Sequence, residues 1–117
     1  MPDRTPSCFT HVRHDADAVT ATVHPAFAEA ACAGHFPDEP LLPGSVLLDL
    51  MTAAARLTLA EPARLAAAEH AVFRRRVRPS DAIAVVARPE DGLHVTTTIH
   101  VGSELAATGQ LRFEPSR

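Results

Sequence analysis

Apolar and polar residues alternate along residues 17–24, Asp-Ala-Val-Thr-Ala-Thr-Val-His, and this period of two is typical of a β-strand with one buried face. The next stretch, 25–44, breaks the pattern because it contains four prolines and two glycines. Proline and glycine interrupt regular structure most strongly, so this stretch is predicted to be a long loop. Loops of this length inside compact domains are uncommon and usually carry function.

A helix is predicted over residues 45–59, which are rich in leucine, alanine and other helix formers. Pro43 and Gly44 offer a sharp start, and the hydroxyl of Ser45 is predicted to cap the first turn. The polar residues of the helix recur at spacings of four, three and four, which places them on one stripe of an otherwise apolar cylinder. They are Ser45, Asp49, Thr52 and Arg56. Most of the helix is therefore expected to be buried.

The second half of the chain is predicted to be a series of strands. Glu61 and Pro62 end the helix, a polar and alanine-rich connection follows, and strand-like patterns begin at about residue 69. The predicted strands are 69–77, 82–88, 93–101 and 104–113, with Asp91-Gly92 and Gly102-Ser103 in tight turns. This order predicts an α+β fold in which an antiparallel meander wraps one buried helix, in a single domain over 1–117.

Composition and charge narrow the classes of function. A hydrophobic content of 46% in 117 residues can build one core without disulfides or metals. The net charge of -3 argues against nucleic acid as a partner, because nucleic-acid binders normally carry a strongly basic face. The most apolar stretch, 41–59, is interrupted by Pro43, Asp49 and Arg56 and is too short to span a membrane. With two cysteines and no signal-peptide pattern, a cytoplasmic location is expected.

His35 in the predicted loop and Asp49 in the predicted helix are the candidate reactive groups. The free N–H groups at the start of the helix point back towards the loop, and the helix dipole favours negative charge there. An imidazole can act as a base near neutral pH, and burial of a carboxyl group favours its neutral, proton-donating form. A base, an acid and dipoles for a developing enolate are the groups that water elimination next to a carbonyl requires. An inert histidine and a solvated or ion-paired aspartate are the alternative.

Two motifs give the chain a family resemblance. Gly34-His35-Phe36-Pro37, Pro40, Pro43-Gly44 and Asp49 resemble, in order and spacing, the signature of the β-hydroxyacyl-acyl carrier protein dehydratases, the FabA/FabZ group of the hotdog-fold superfamily. Residues 72–81, Val-Phe-Arg-Arg-Arg-Val-Arg-Pro-Ser-Asp, resemble a later strand and turn of the same group. The resemblance extends over residues 17–113 and implies a hotdog fold, an antiparallel sheet wrapped around one long central helix.

The resemblance implies a role for each of these residues. His35 is expected to remove the C2 proton of a 3-hydroxyacyl thioester, while Asp49 of the other protomer protonates the departing hydroxyl. The N–H of Gly44 is expected to polarise the thioester carbonyl. Sites of this group lie at a dimer interface and need no cofactor and no metal. The residues that the resemblance places along the substrate path are Phe36, Pro43, Ser45, Leu48 and Thr52.

The surroundings of the acid differ from the usual pattern of the group. Aspartate at position 49 resembles the branch that also isomerises the double bond, whereas the commoner branch has glutamate. Ala53 occupies the place one helical turn later where the group usually keeps a glutamine. Thr52 or Arg56 is the predicted substitute for this hydrogen-bonding partner.

Partners and competing functions follow from the same reasoning. Arg74, Arg75, Arg76 and Arg78 form a dense basic run, which is either a solvated face or a docking patch for an acidic carrier protein or a pantetheine phosphate. The substrate is expected on acyl carrier protein or coenzyme A, in fatty acid, polyketide or aryl polyene-type biosynthesis. A homodimer, a trimer of dimers and a heterodimer with a related subunit all remain open. A hotdog acyl thioesterase and a non-catalytic acyl-binding partner subunit are the competing functions.

Overall fold

The structure, a computed structural model, describes residues 5–33 and 40–116. It contains a single sheet of six strands, all paired antiparallel, in the order β1-β2-β4-β5-β6-β3, and two helices. The strands are β1 (Phe9–His14), β2 (Val19–Val23), β3 (Ala63–Phe73), β4 (Ile83–Pro89), β5 (His94–Val101) and β6 (Glu104–Pro115); the helices are α1 (Pro25–Cys32) and α2 (Gly44–Arg56). The α+β fold predicted from the pattern, a sheet around one central helix, is confirmed.

The core lies between α2 and the inner face of the sheet. One cross-strand row on that face joins Ala21, Val85, Ile99 and Ala107, each of which is fully buried. The helix faces this row with buried apolar side chains that recur every three or four residues, as the sequence pattern predicts. They are Leu47, Leu50, Met51, Ala54 and Ala55.

A glycine in β6 lets the helix approach the sheet closely. A Cβ atom added at Gly109 would lie 3.2 Å from Sδ of Met51, which is tighter than ordinary van der Waals contact. The hydroxyl of Thr97, on the neighbouring strand, donates a hydrogen bond of 2.8 Å to the Gly109 carbonyl. Thr97 is therefore buried with its polar group satisfied.

The stretch 25–44 is not the uninterrupted loop that its prolines predict, because it begins with α1. His24 is the N-cap of this helix, and the Ala26 N–H donates to its Nδ1 at 3.1 Å. Pro25 occupies the first helical turn, where its missing N–H costs no hydrogen bond. The proline that suggested a loop is thus a helix start, and the alanines after it favour the helix. Ala28 and Cys32 are its buried residues.

Other boundaries confirm or correct the prediction. The strands from β4 to β6 and their turns are confirmed, and both turn glycines have positive φ angles, 64° at Gly92 and 59° at Gly102. The connection expected at 63–68 is instead the first half of β3, and β1 was not predicted at all. Alanine is depleted in strands, but pairing with β6 along most of its length makes this segment a strand. The central helix ends at Arg56, three residues before the predicted end at 59.

Candidate active site at the amino end of the central helix

The amino end of α2 has N–H groups without a partner in the described part of the chain. Pro43 is the N-cap and makes no side-chain capping bond, while its carbonyl accepts from the N–H groups of Val46 at 3.0 Å and Leu47 at 3.1 Å. The prediction that Ser45 caps the helix is wrong, because Ser45 lies inside the first turn instead of at the N-cap. Within the described residues, the N–H groups of Gly44 and Ser45 have no hydrogen-bond partner. These two exposed groups can therefore receive a negatively charged oxygen.

A pocket of about 420 Å³ opens at this helix end. Leucine side chains supply apolar lining, and Arg74, Arg75 and Arg76 of the basic run supply charged lining. The ring of Phe73 covers Gly44, since a Cβ added at Gly44 would lie 3.5 Å from two of the ring carbons. Phe73 itself is 49% exposed, which is unusual for a side chain of this size. The lining residues are Leu41, Leu42, Gly44, Leu47, Phe73, Arg74, Arg75, Arg76 and Val77.

One backbone hydrogen bond joins the two motifs that were recognised separately in the sequence. The Leu42 N–H donates to the Val77 carbonyl at 2.8 Å, and both residues are buried. The segment that follows β3 is thereby attached to the segment that leads into α2. This attachment places Gly44 from the first motif and Phe73 from the second in the same pocket.

Asp49 lies on the face of α2 that the single chain leaves exposed. It is five residues after Gly44, which corresponds to about 7.5 Å along the helix axis. Its carboxylate makes no ion pair or hydrogen bond with any residue that the structure describes. The carboxylate is therefore accessible to a substrate or to a second protein chain.

The predicted partners of Asp49 lie elsewhere. Thr52 is only 8% exposed, and its hydroxyl donates to the Leu48 carbonyl at 2.8 Å. The guanidinium of Arg56 lies 6.0 Å from the centre of the Phe113 ring, in a cation–π arrangement at the far end of the helix. Ala53 is half-buried and offers no polar side-chain group. Within the described chain, neither of the two predicted hydrogen-bonding partners therefore contacts Asp49.

The four arginines of the basic run do not form one uniform surface. Arg74, Arg76 and Arg78 are exposed. The side chain of Arg75 is only 25% exposed, and its guanidinium contacts Glu104 at 2.8 Å and Asp81 at 3.5 Å. The charge of Arg75 is thus compensated inside the chain, which the run of arginines in the sequence does not reveal.

The remaining predicted site residues are also located. Pro43 and Leu48 are half-buried and Ser45 is exposed, all within or beside the first turns of α2. The two buried thiols, of Cys8 and Cys32, have pKa values that burial raises above the ordinary value. His35 and Phe36 lie outside the described residues.

An antiparallel sheet wrapped around a single long helix, with a pocket at the amino end of that helix, defines a protein of the hotdog-fold class. Neither helix in the described part of the chain is long and apolar enough to cross a membrane. The family model of ApeI-like proteins, described as ApeI dehydratase, matches residues 11–110. The chain therefore belongs to the ApeI-like dehydratase family.

Other known proteins are similar to this chain in sequence or in fold. The 3-hydroxyacyl-[acyl-carrier-protein] dehydratase FabZ of Levilactobacillus brevis is 28% identical, over 97% of this chain and 86% of that protein. The structure of the dehydratase heterocomplex ApeI:P from Xenorhabdus doucetiae has a TM-score of 0.78 and 20% identity, over 90% of this chain and 95% of that one. A putative thioesterase from Shewanella oneidensis shares the fold, with a TM-score of 0.63 and 13% identity over 89% and 81% of the two chains.

Proposed function

We propose that this protein catalyses the reversible elimination of water from a (3R)-3-hydroxyacyl thioester to give a trans-2-enoyl thioester. The observation that carries the proposal is the amino end of α2, where Gly44, whose N–H has no partner among the described residues, lines a pocket together with leucines and arginines. Such a site suits a thioester whose carbonyl oxygen becomes negative during the reaction. Membership in a dehydratase family supports the same reaction.

The proposed mechanism uses three groups of the chain. The imidazole of His35 accepts the C2 proton, and the electron pair of that C–H bond forms the new double bond towards C3. The N–H of Gly44 donates to the carbonyl oxygen while negative charge develops on it. Asp49 of a second copy gives its proton to the C3 hydroxyl, which leaves as water when the C–O bond breaks. The proton on His35 then returns to the Asp49 carboxylate through solvent, which restores the starting state.

The proposed active form contains at least two chains, because the edge of the sheet is open. In the described structure β3 pairs with β6 on one side and has no strand on the other. An open edge of 11 residues can pair with a further strand. Val72 and Phe73, 44% and 49% exposed, lie at the end of that edge, beside the pocket. A homodimer or a trimer of dimers would cover this edge and supply the second Asp49 that the mechanism uses. A heterodimer with a related subunit would cover the edge with a different chain, which would have to supply the acid itself.

The proposed substrate carrier is acyl carrier protein, with coenzyme A as the alternative. Arg74 and Arg76 line the pocket and are exposed, and Arg78 follows them along the chain. Exposed guanidinium groups at a pocket mouth attract acidic partners and phosphate groups. The Arg74→Gln variant is therefore expected to have a severalfold higher KM for the carrier-protein substrate at low salt, with kcat unchanged.

The deciding experiment is mass spectrometry of a panel of 3-hydroxyacyl thioesters, on carrier protein and on coenzyme A, after incubation with the protein. The wild type is expected to produce the enoyl thioester by loss of one water. The variants His35→Ala and Asp49→Asn are expected to be at least about 100-fold slower, since general acid and base groups contribute about 10²- to 10⁴-fold each.

Two matched variants control for unrelated effects of these substitutions. His14→Ala and Asp17→Asn change the same residue types at exposed positions around the β1–β2 turn and should retain wild-type rates. Release of free acid instead of the enoyl thioester would replace the dehydratase by a thioesterase. A panel left unchanged by the wild type would favour a non-catalytic acyl-binding subunit.

A further inference from the structure

Arg75 lies at the centre of a polar network beside the pocket. Its Nη1 donates to Oε1 of Glu104 at 2.8 Å, and its Nη2 lies 3.5 Å from Oδ2 of Asp81. Its Nε donates to the carbonyl of the next residue, Arg76, at 2.9 Å. The guanidinium thus contacts β6, the turn before β4 and its own backbone at the same time, as only a planar fork with several donors can.

The same network holds the turn that follows β3. The Arg78 N–H donates to Oδ2 of Asp81 at 2.8 Å, and the Asp81 N–H donates back to the Arg78 carbonyl at 3.0 Å. The N–H groups of Arg74 and Arg75 both donate to the carbonyl of Ala106, at 2.7 and 3.3 Å. The segment 74–81 is therefore fixed at both ends, and Arg75 links the two ends through Asp81 and Glu104.

Val77 lies within this fixed segment and carries the carbonyl that accepts from Leu42 at 2.8 Å. Leu42 precedes Pro43 and Gly44 directly, so this hydrogen bond attaches the chain to Val77 immediately before α2 begins. A change in the path of residues 75–78 would therefore move the Gly44 N–H relative to the pocket and the Phe73 ring.

We propose that Arg75 is a positioning residue, which holds the Val77 carbonyl against Leu42 and thereby aims the Gly44 N–H at the substrate carbonyl. The catalytic part of this proposal rests on the proposed dehydratase function. The structural part does not, because the Leu42 amide reports the attachment directly. Arg75 would act on the transition state more than on substrate binding, since its own guanidinium is occupied within the chain.

The test compares Arg75→Gln with the wild type by two measurements on the full chain. Amide hydrogen exchange followed by NMR is expected to show at least about tenfold faster exchange of the Leu42 N–H, with the β4–β5 ladder unchanged. In the enzyme assay, kcat is expected to fall about 10- to 100-fold while KM changes less than about twofold, because a small misplacement of a catalytic group slows the chemical step.

Further variants make the test specific. Arg75→Lys should recover part of kcat, because a lysine can pair with one carboxylate but cannot bridge both. Asp81→Asn should reproduce the effects of Arg75→Gln on exchange and on kcat, because it removes the other partner of the ion pair. If Arg75→Gln does not fold, Asp81→Asn and Arg75→Lys provide the test. Arg13→Gln, which removes the surface ion pair of 3.3 Å from Arg13 on β1 to Asp15, should alter neither readout.

Unchanged exchange of the Leu42 amide in both Arg75→Gln and Asp81→Asn would overturn the proposal. A rise in KM with kcat unchanged would also overturn it and would make Arg75 a docking residue instead. A wild type without activity on every thioester would remove the proposed dehydratase function, while the Leu42 exchange would still decide whether Arg75 holds the amino end of α2.

Discussion

At Gly109 the absence of a side chain sets the distance between the sheet and the central helix. The nearest atom to an added Cβ is Sδ of Met51, at 3.2 Å, and Met51 is fully buried. A methyl group here would crowd the thioether, although methionine is the most adaptable apolar side chain. Neither residue belongs to a recognised motif, so the sequence alone does not show that they meet.

The Gly109→Ala substitution is expected to couple to Met51. In the wild type the added methyl should cost about 1 kcal/mol through crowding, which opposes the gain of about 0.4–1 kcal/mol from a stiffer unfolded chain. In a Met51→Ala background the methyl has room, so Gly109→Ala should become stabilising. Urea unfolding followed by circular dichroism measures all four proteins. Equal effects of Gly109→Ala in both backgrounds would show that Met51 moves aside without cost.

At the scale of the element, β3 is the strand that sequence patterns describe least well. Its first half is a run of small residues that resembles a connection, and its second half is interrupted between Glu69 and Val72, where the register with β6 shifts. His70 lies in this bulge with a φ of 51°, which is left-handed backbone. For a residue other than glycine, that conformation costs about 1 kcal/mol of free energy. The bulge lies immediately before Phe73, which lines the pocket.

Substitutions at His70 should follow the rules of a left-handed position instead of those of a strand. His70→Gly is expected to raise the free energy of unfolding by up to about 1 kcal/mol, and His70→Val to lower it by about 1 kcal/mol or more. Ala68, which pairs regularly with Leu111 in the same strand, is the matched control. There glycine should destabilise and valine should be neutral or stabilising.

The measurement is chemical unfolding of the four variants at one fixed protein concentration, because pairing of β3 with a second chain would contribute to stability. If glycine and valine had the same order of stability at both positions, the left-handed bulge would not exist in solution.

At the scale of the whole molecule, the composition leaves the cysteine thiols as the side chains that titrate at moderately alkaline pH. The chain has no lysine and no tyrosine, so above about pH 8.5 its titrating side chains are the two cysteine thiols. Cys8 and Cys32 are both free and buried, and burial raises the pKa of each thiol above its ordinary value. The native state therefore holds these protons more tightly than the unfolded state does.

This difference predicts how stability depends on alkaline pH. The contribution of the neutral thiols to the free energy of unfolding is fully present below their ordinary pKa of about 8.5. It is lost as the pH rises through the raised pKa values. The free energy of unfolding should decline above about pH 8.5, by at most about 1.4 kcal/mol per pH unit for each thiol. Urea unfolding in the presence of a reductant, from pH 7 to 10.5, measures the decline. The double variant Cys8→Ala, Cys32→Ala should not show it, and an identical decline in that variant would contradict the explanation.

The sequence alone determined the features that depend on nearby residues. The helix at Gly44–Arg56, the strands β4 to β6 and the turns at Gly92 and Gly102 follow from local periodicity and from backbone conformations that glycine favours. The dehydratase family also follows from short motifs, and the family model that matches residues 11–110 confirms it.

The tertiary structure alone decided the features that depend on distant residues. Residues 63–68 form a strand because β6 offers a ladder to them, although alanine by itself favours a helix. Arg75 turns inward because Asp81 and Glu104 lie beside it, whereas Arg74, Arg76 and Arg78 stay exposed. Gly44 and Phe73 share one pocket because a hydrogen bond joins Leu42 to Val77, 35 residues later. Local sequence sets what each segment can form, whereas pairing and packing between segments set which side chains meet.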